Sequence, residues 1–527
     1  MAAGFDRTSI AGKEFPLAGQ SQLVVIGAGS AGVAAAIEAA RLGLSVTLVD
    51  EHPVASGLIG LDVPYMVGER MTAAIQNQAR MVEQIAASRP DIADAFEAGV
   101  DVQMGISAWA AFVEGPTSRA LPGRMLALAD ESRSWLIGFE RMIVAAGARD
   151  LALAFPGWDR PGVMGAQGFG AAVTLYDAFA GRRIVVLGGG AAALQVVRQA
   201  QAAGIEVAAV ISAAPTVDAD LIATGVEILA GSAIRGVLGA MEVEGVTVAP
   251  LAGGSERSFA CDSIVSAIDV APTVEMFDLL NCATVFDRAR GGYVPVIDAE
   301  QRCTLPGVYA AGDCAGVSDA GLLDPALARA EGIRAARTAA RDAGLAAPED
   351  KAESRAIGPA RDSWRREWLS AHAGPQAPEL IICRCEEVTL HDLLGVRPPR
   401  YLKYDEKNFE NRDLRSLAQD GPVNQDQIKR LTRAGMGACQ GRRCREQVQE
   451  LLAMQGNQPP SSIPLPSFRA PLRPIPLSVL SAADETPGMR ANWSGWFGIA
   501  AQWIPHWEKV PENPEYYGGR IFSGGEE

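Results

Sequence analysis

Histidine is scarce in this chain of 527 residues: His52, His372, His391 and His506 are the only four. Their spacing fits no catalytic triad or metal motif, so each reads as a surface or packing residue. Long apolar runs are missing too. No uninterrupted stretch approaches the roughly 18 residues that a membrane span needs. The N-terminal MAAGFDRTSIAGKEF has no apolar core of the kind a secretory signal carries, and a cytoplasmic protein is expected. Basic charge is in deficit, with 47 Lys and Arg against 62 Asp and Glu and a net charge of −15. The acids are scattered, which argues against a nucleic-acid partner. Cysteine is sparse as well, and eight in the whole chain cannot build a disulfide scaffold. No C-x-x-C or C-x4-C pair lies within residues 1–350, which removes thiol–disulfide exchange there. Cys261, Cys282, Cys303 and Cys314 stand singly in apolar or turn contexts and read as packed thiols.

The other four cysteines are grouped. Cys383 and Cys385 form a C-x-C pair in IICRCEEVT, and Cys439 and Cys444 form a C-x4-C pair in RAGMGACQGRRC. Four thiolates supply two ligands for each iron of a [2Fe–2S] cluster. Gly435, Gly437 and Gly441 crowd the second pair and let backbone N–H groups approach cluster sulfurs. The competing reading is a structural Zn(Cys)4 site, for which tighter C-x2-4-C knuckles on both sides are usual.

What the chain has in abundance is glycine in strand–turn–helix settings. Residues 22–50, QLVVIGAGSAGVAAAIEAARLGLSVTLVD, run from an apolar strand through Gly27, Gly29 and Gly32 into an Ala-rich helix and a second strand. Gly27 permits the tight turn, Gly29 admits a pyrophosphate, and Gly32 lets helix pack on strand. Asp50 ends the second strand and is placed to accept hydrogen bonds from an adenosine ribose, with Glu51 as the alternative. A second such unit occupies 182–212, with Gly188 and Gly190 in the first two positions and Ala193 in the third. Its second strand ends at Ser212 with no ribose acid, so a structural Rossmann module is favoured over an NAD(P) site. Between the units, RMIVAAGARD places Gly147 after an apolar strand. Beyond them, GVYAAGDCAG places Gly312 and Asp313 before a helix. Asp313 there suits ribityl hydroxyls of a flavin, while a plain helix N-cap is the simpler use of such an acid.

That order resembles the flavoprotein fold with two dinucleotide-binding domains. The expected class is α/β, with two nested Rossmann-like domains of the glutathione-reductase kind, then a small helical [2Fe–2S] module and an extended C-terminal arm. The expected boundaries are an FAD-binding domain in two parts, 20–154 and 276–345, around an inserted second Rossmann-like domain at 155–275. A linker at 346–378, the cluster module at 379–456 and the arm at 457–527 follow. The arm is Pro-rich to about residue 487 and then aromatic, with Trp493, Trp496, Trp503 and Trp507 among its last 35 residues. It reads either as a clasp on a partner chain or as a tail on its own core.

AAGARDLALAFPGWDRPGVMGAQG at 145–168, CRCEEVT and KRLTRAGMGACQGRRC narrow the resemblance. They are similar to the α subunits of bacterial opine and hydroxyproline dehydrogenases and to the flavin subunit of hydrogen cyanide synthase, over about residues 20–480. The resemblance implies FAD, or another adenine nucleotide, at Gly27, Gly29, Gly32, Asp50, Gly147 and Asp313. It implies a bacterioferritin-associated-ferredoxin-like module with Cys383, Cys385, Cys439 and Cys444 as ligands. It further implies an FAD-dependent, amino-acid-oxidase-like β subunit and a small ferredoxin-like third subunit. An FMN at a subunit interface is implied too, with a quinone or respiratory acceptor that brings the complex to the membrane surface. Two departures stand out. Ser56-Gly57 replaces the family's Gly-Gly pair, and 53 residues separate the cysteine pairs, with a polar insert between them.

A flavin takes two electrons and a [2Fe–2S] cluster one, so a chain holding both and no acid–base constellation reads as the relay half of a dehydrogenase acting on a C–N bond. No catalytic residue is assigned. The alternatives are a self-contained NAD(P)H-dependent reductase feeding an oxygenase, and a scaffold flavoprotein without catalytic role.

Overall fold

Strand β1 (Leu17–Ile26) is the centre of a seven-stranded sheet in the computed structural model, which describes residues 16–54, 70–114, 123–349, 362–403 and 412–481, with Asp405, Lys407 and Pro487. On one side of β1 lie β2 (Val46–Asp50) and then β3 (Asp101–Met104), all parallel. On the other lies β6 (Ser134–Val144), also parallel to β1, followed by β5 (Met125–Ala129) and β4 (Ser107–Phe112) as an antiparallel meander. Strand Val308–Ala310 returns to pair with β6 in parallel. Leu23, Val24, Val25 and Leu48 have no exposed surface. Strands covered on both faces need such unbroken apolar runs. Helix α1 (Ser30–Arg41) covers one face with Ala31, Val33, Ala35, Ala36 and Ala39, and the helix Pro325–Asp342 packs beside it.

A second, all-parallel sheet has the order β10–β9–β8–β11–β7, from β7 (Val163–Gly165), β8 (Arg183–Leu187), β9 (Glu206–Ile211), β10 (Ile228–Leu229) and β11 (Ser263–Ser266). Helix α2 (Ala191–Ala202) follows β8. The expected α/β class with two Rossmann-like sheets is what the chain adopts.

Helix α3 (Asp362–His372) and helix α4 (Arg445–Gly456) tie the cysteine-bearing segment to the second sheet. One buried cluster runs from Phe155, Trp158, Ile211 and Ile264 through Trp368 and Leu369 to Ile382, Val388, Ile428 and Leu452. Gln447 on α4 pins the seam, accepting from Ala154 N at 2.9 Å and donating to Ile382 O at 2.6 Å. Trp158 Nε1 donates to Ile381 O at 2.7 Å.

His372 seats α3 in one tautomer. Its Nδ1–H faces Trp368 O at 2.9 Å, and Nε2 accepts from Ile234 N at 3.1 Å. Burial, with Arg235 nearby, pushes its pKa down to about 4. A second proton would have to sit on Nε2, opposite a backbone donor. Because the folded pKa lies below the unfolded one, this seat is intact above about pH 6.5 and weakens as pH falls toward 4. The wild-type unfolding free energy should drop by a few kcal/mol, roughly 3, across that window, and His372→Gln should lose much of the slope. Denaturant titrations at stepped pH measure it; equal slopes for both proteins would refute the assignment.

The Pro-rich stretch turns back over the first unit. Gln449 Nε2 holds Pro460 O and Ile463 O, both at 2.8 Å, and Leu472 N donates to Trp109 O at 2.7 Å. The aromatic residues expected to form the end of the arm, and Ser56-Gly57, lie outside the described residues.

Candidate functional site

A cavity of about 590 Å³ opens at the C-terminal ends of β1 and β2 and reaches across to α2, within the size range of cofactor sites. Gly27 makes the turn at φ +101°, and a Cβ there would meet Ala145 O at 2.3 Å. Gly29, the N-cap of α1, faces open space, since nothing lies within 4 Å of where its Cβ would be. A turn that forbids side chains on its inner side and leaves open volume at a helix N-terminus is a cradle for phosphate oxygens. A Cβ on Gly32 would collide with Gly27 O, so only glycine fits at that position of the helix. Gly147, at φ +66°, and Asp313 line the same cavity from the other side. Gly312 stands behind Asp313, its N–H given to Glu331 Oε2 at 2.9 Å.

Asp50 and Glu51 both line the cavity, and both are engaged. Asp50 accepts from Ala28 N, from His52 N at 2.8 Å and from His52 Nδ1 at 2.7 Å. Burial works to raise the Asp50 pKa, but the His52 charge and these hydrogen bonds outweigh it and leave the carboxyl lowered. His52 moves the opposite way, burial lowering it and Asp50 raising it to a net upward shift. His52, which the sequence offers as a surface or packing residue, is packed in the cavity wall as the ion-pair partner of Asp50. Glu51 pairs at 2.5 Å with Arg473 from the returning Pro-rich stretch. Nothing in the local sequence marks Arg473, because it reaches the site only through that return.

The far wall holds a buried charge network that sequence reading misses. Arg149, Glu275 and Arg442 line the cavity, and Arg445 and Glu446 lie behind them. Arg149 donates to Pro272 O at 2.9 Å, to Arg442 O at 3.2 Å and to Glu446. Arg445 bridges Glu275 Oε1 and Glu446 Oε1, both at 2.8 Å. Burial would raise the Glu275 pKa, yet Arg445, Arg149 and Arg442 together bring it down to about 2. Three guanidiniums and two carboxylates meet here, balanced by one another and by backbone carbonyls.

Arg442 also belongs to the cysteine loop, its Nη1 donating to Cys439 O at 3.1 Å. The four cysteines come together in two pairs that cross the sequence motifs: Cys383 with Cys444 and Cys385 with Cys439, each within side-chain hydrogen-bond reach. Gly435 N donates to Cys383 Sγ at 3.4 Å. A Cβ on Gly437 would lie 2.3 Å from the Cys385 Cβ, so only glycine fits against that thiol. Among the described residues, no three His, Cys, Asp or Glu side chains converge as they would around one ion. No cysteine lines the cavity itself.

The second glycine loop is closed. The Trp364 ring of α3 lies where a Cβ on Gly190 would come within 2.5 Å of it. Gly188, Gly189, Ser212, Trp364 and Trp368 leave a void of only about 20 Å³ between them. A dinucleotide pyrophosphate has no room over this loop.

Fold and cavity together are those of an oxidoreductase built around a bound dinucleotide. Residues 21–343 match the family model for pyridine nucleotide-disulphide oxidoreductases, and the chain belongs to that family. Residues 401–484 match the model for the sarcosine oxidase A3 domain. An opine oxidase subunit of Agrobacterium tumefaciens is 26% identical over 511 residues, covering 88% of this chain and 92% of that protein. The HcnB subunit of hydrogen cyanide synthase from Pseudomonas protegens is 26% identical over 504 residues, covering 88% and 98%. The alpha subunit of sarcosine oxidase from Rhizobium meliloti is 24% identical over 475 residues, which is 88% of this chain but 42% of that longer one. Among solved structures, L-proline dehydrogenase from P. horikoshii superposes with a TM-score of 0.59 at 20% identity, over 89% of this chain and 81% of that one, a likeness of fold. Among the described residues no helix is long and apolar enough to cross a membrane.

Proposed function

We propose that this chain is the electron-transfer α subunit of a hetero-oligomeric dehydrogenase that oxidises a C–N bond of an amine, an opine, or an imino or amino acid on a partner flavin subunit. The observation that carries the reading is the shared wall: Arg442 lines the dinucleotide cavity and sits between Cys439 and Cys444. One short loop thus separates the cavity from four paired thiols. Three carboxylates of the cavity wall are held in ion pairs, Asp50 with His52, Glu51 with Arg473 and Glu275 with Arg445.

FAD bound here would accept electrons in pairs and release them singly, and a [2Fe–2S] group would carry them one at a time. This chain's residues would do the holding. Gly27, Gly29 and the α1 N-terminus would hold the pyrophosphate, Asp50 and Glu51 the adenosine ribose, Gly147 and Asp313 the ribityl side, and Cys383, Cys385, Cys439 and Cys444 the irons. The similarity to proteins of opine oxidase, hydrogen cyanide synthase and sarcosine oxidase supports an enzyme of several chains. A β subunit would supply substrate chemistry, and a respiratory acceptor would take the electrons.

The reductase reading needs NAD(P)H at the second loop, which Trp364 covers. Native purification should therefore bring down a second flavoprotein and release FAD on denaturation, and stopped-flow mixing with NADH or NADPH should leave the flavin oxidised on the timescale of turnover. Rapid flavin reduction by either nucleotide, or substrate turnover by the isolated chain, would overturn the relay role.

A further inference from the structure

The Pro-rich return after α4 brings Leu472 and Arg473 into the wall of the dinucleotide cavity. Between the turn Pro460–Ser462 and the short helix Leu477–Ser481 it forms neither helix nor strand. Pro464, Pro466, Pro471, Pro474 and Pro476 fall within it. Proline offers no N–H to a ladder, so the stretch cannot be zipped onto a sheet edge and is held at separate points.

Those points run from the thiol-bearing segment to the cavity. Ser467 Oγ donates to Asp426 Oδ1 at 3.2 Å, and Phe468 N to Asp278 Oδ2 at 3.0 Å. The Phe468 ring lies beneath the Arg445 guanidinium, 4.4 Å from its centre. Leu472 is buried among apolar side chains of the first unit, and its N–H is given to Trp109 O at the break in the β4–β5 register. One residue further on, Arg473 pairs with Glu51 at 2.5 Å. The stretch therefore crosses from β4 to the end of β2, where Asp50 and Glu51 line the cavity. Asp50 is tied within the first unit, to Ala28 and His52, whereas Glu51 is tied to the return.

We infer that residues 463–473 form a strap over the adenosine end of the cavity, and that the Arg473–Glu51 pair is the latch that sets how fast a dinucleotide enters and leaves. The inference rests on the reading of this cavity as an FAD site. Both halves of the latch belong to this chain, so it closes over the empty and the filled cavity alike. A gate of that kind slows entry and exit together and leaves affinity nearly unchanged, whereas a side chain that grips the nucleotide slows exit alone.

The test is timed rapid filtration of the full-length protein, with the retained nucleotide identified and quantified by chromatography. Release is followed after dilution of the purified holoprotein, and uptake after FAD is added to the stripped chain. In Arg473→Ala both rates should rise about tenfold, between the effects of losing an exposed and a buried ion pair, with the dissociation constant held within about twofold. Leu472→Ala, which loosens the neighbouring seat, should shift both rates the same way. On a Glu51→Gln background, Arg473→Ala should add less than about twofold, since the latch is already broken. Arg257→Ala, which breaks an exposed pair with Glu227 on the second sheet's unit, should move neither rate. Unchanged rates in Arg473→Ala, faster release without faster uptake, or a full effect on the Glu51→Gln background would each overturn the latch. A retained adenine nucleotide other than FAD would correct the cofactor alone, and its own release and uptake rates would then judge the strap.

Discussion

Cys439→Ser protein will come off the column without its iron, while Cys282→Ser protein will keep it. Wild-type protein prepared anaerobically should carry about two irons per chain and give a rhombic EPR signal on reduction. Cys439 is one half of the Cys385 pair, buried, and shares its loop with Arg442. With serine there, one iron keeps a single thiolate, and loss should be close to complete. Cys282 is just as buried but sits in the first unit's core with Phe277, Leu280 and Cys303. Its removal changes packing only. Iron analysis with EPR of both variants decides the matter. Stoichiometric zinc in the wild type, or full iron in Cys439→Ser, would refute the assignment.

The second large effect is expected at Glu275. Glu275→Gln keeps shape and an acceptor for Arg445, but leaves Arg149, Arg442 and Arg445 buried against Glu446 alone. Removing one partner of a buried charge network costs about 3–5 kcal/mol, because the remaining charges cannot be solvated. The pH dependence carries the signature. The folded pKa near 2 lies below the ordinary carboxylate value, so the wild type has this contribution in full above about pH 4.5 and loses it as pH falls toward 2. The variant should lack that part of the acid slope. Denaturant midpoints at neutral pH and across this window test both statements. A variant as stable as wild type at neutral pH would mean the guanidiniums reach solvent.

The first dinucleotide unit is legible because its signal is local: an apolar strand, three glycines and a terminal acid within 29 residues form one supersecondary element. The fold class follows from two such elements. The cysteines are legible as a group, but not their partners. Sequence pairs Cys383 with Cys385, whereas the fold pairs each across to the other motif. Arg149, Glu275 and Arg442 escape because their partners lie far along the chain, and a buried arginine in AAGARD looks like any surface one. Trp364 escapes for the reverse reason, since RDSWRREWLSAH reads as a solvated linker helix until its tryptophans are found against the second sheet's glycine loop.

That closed loop and the continuous core beneath it constrain how the molecule can move. Here the cavity wall, the thiol loop and the second sheet are bound into one body by Arg149, Gln447, Trp158 and the Trp368 cluster. Rotation of the second lobe would strand buried charges and expose tryptophan. The separation between the dinucleotide cavity and the paired thiols is therefore set once, at folding, rather than varied by a swing inside the chain.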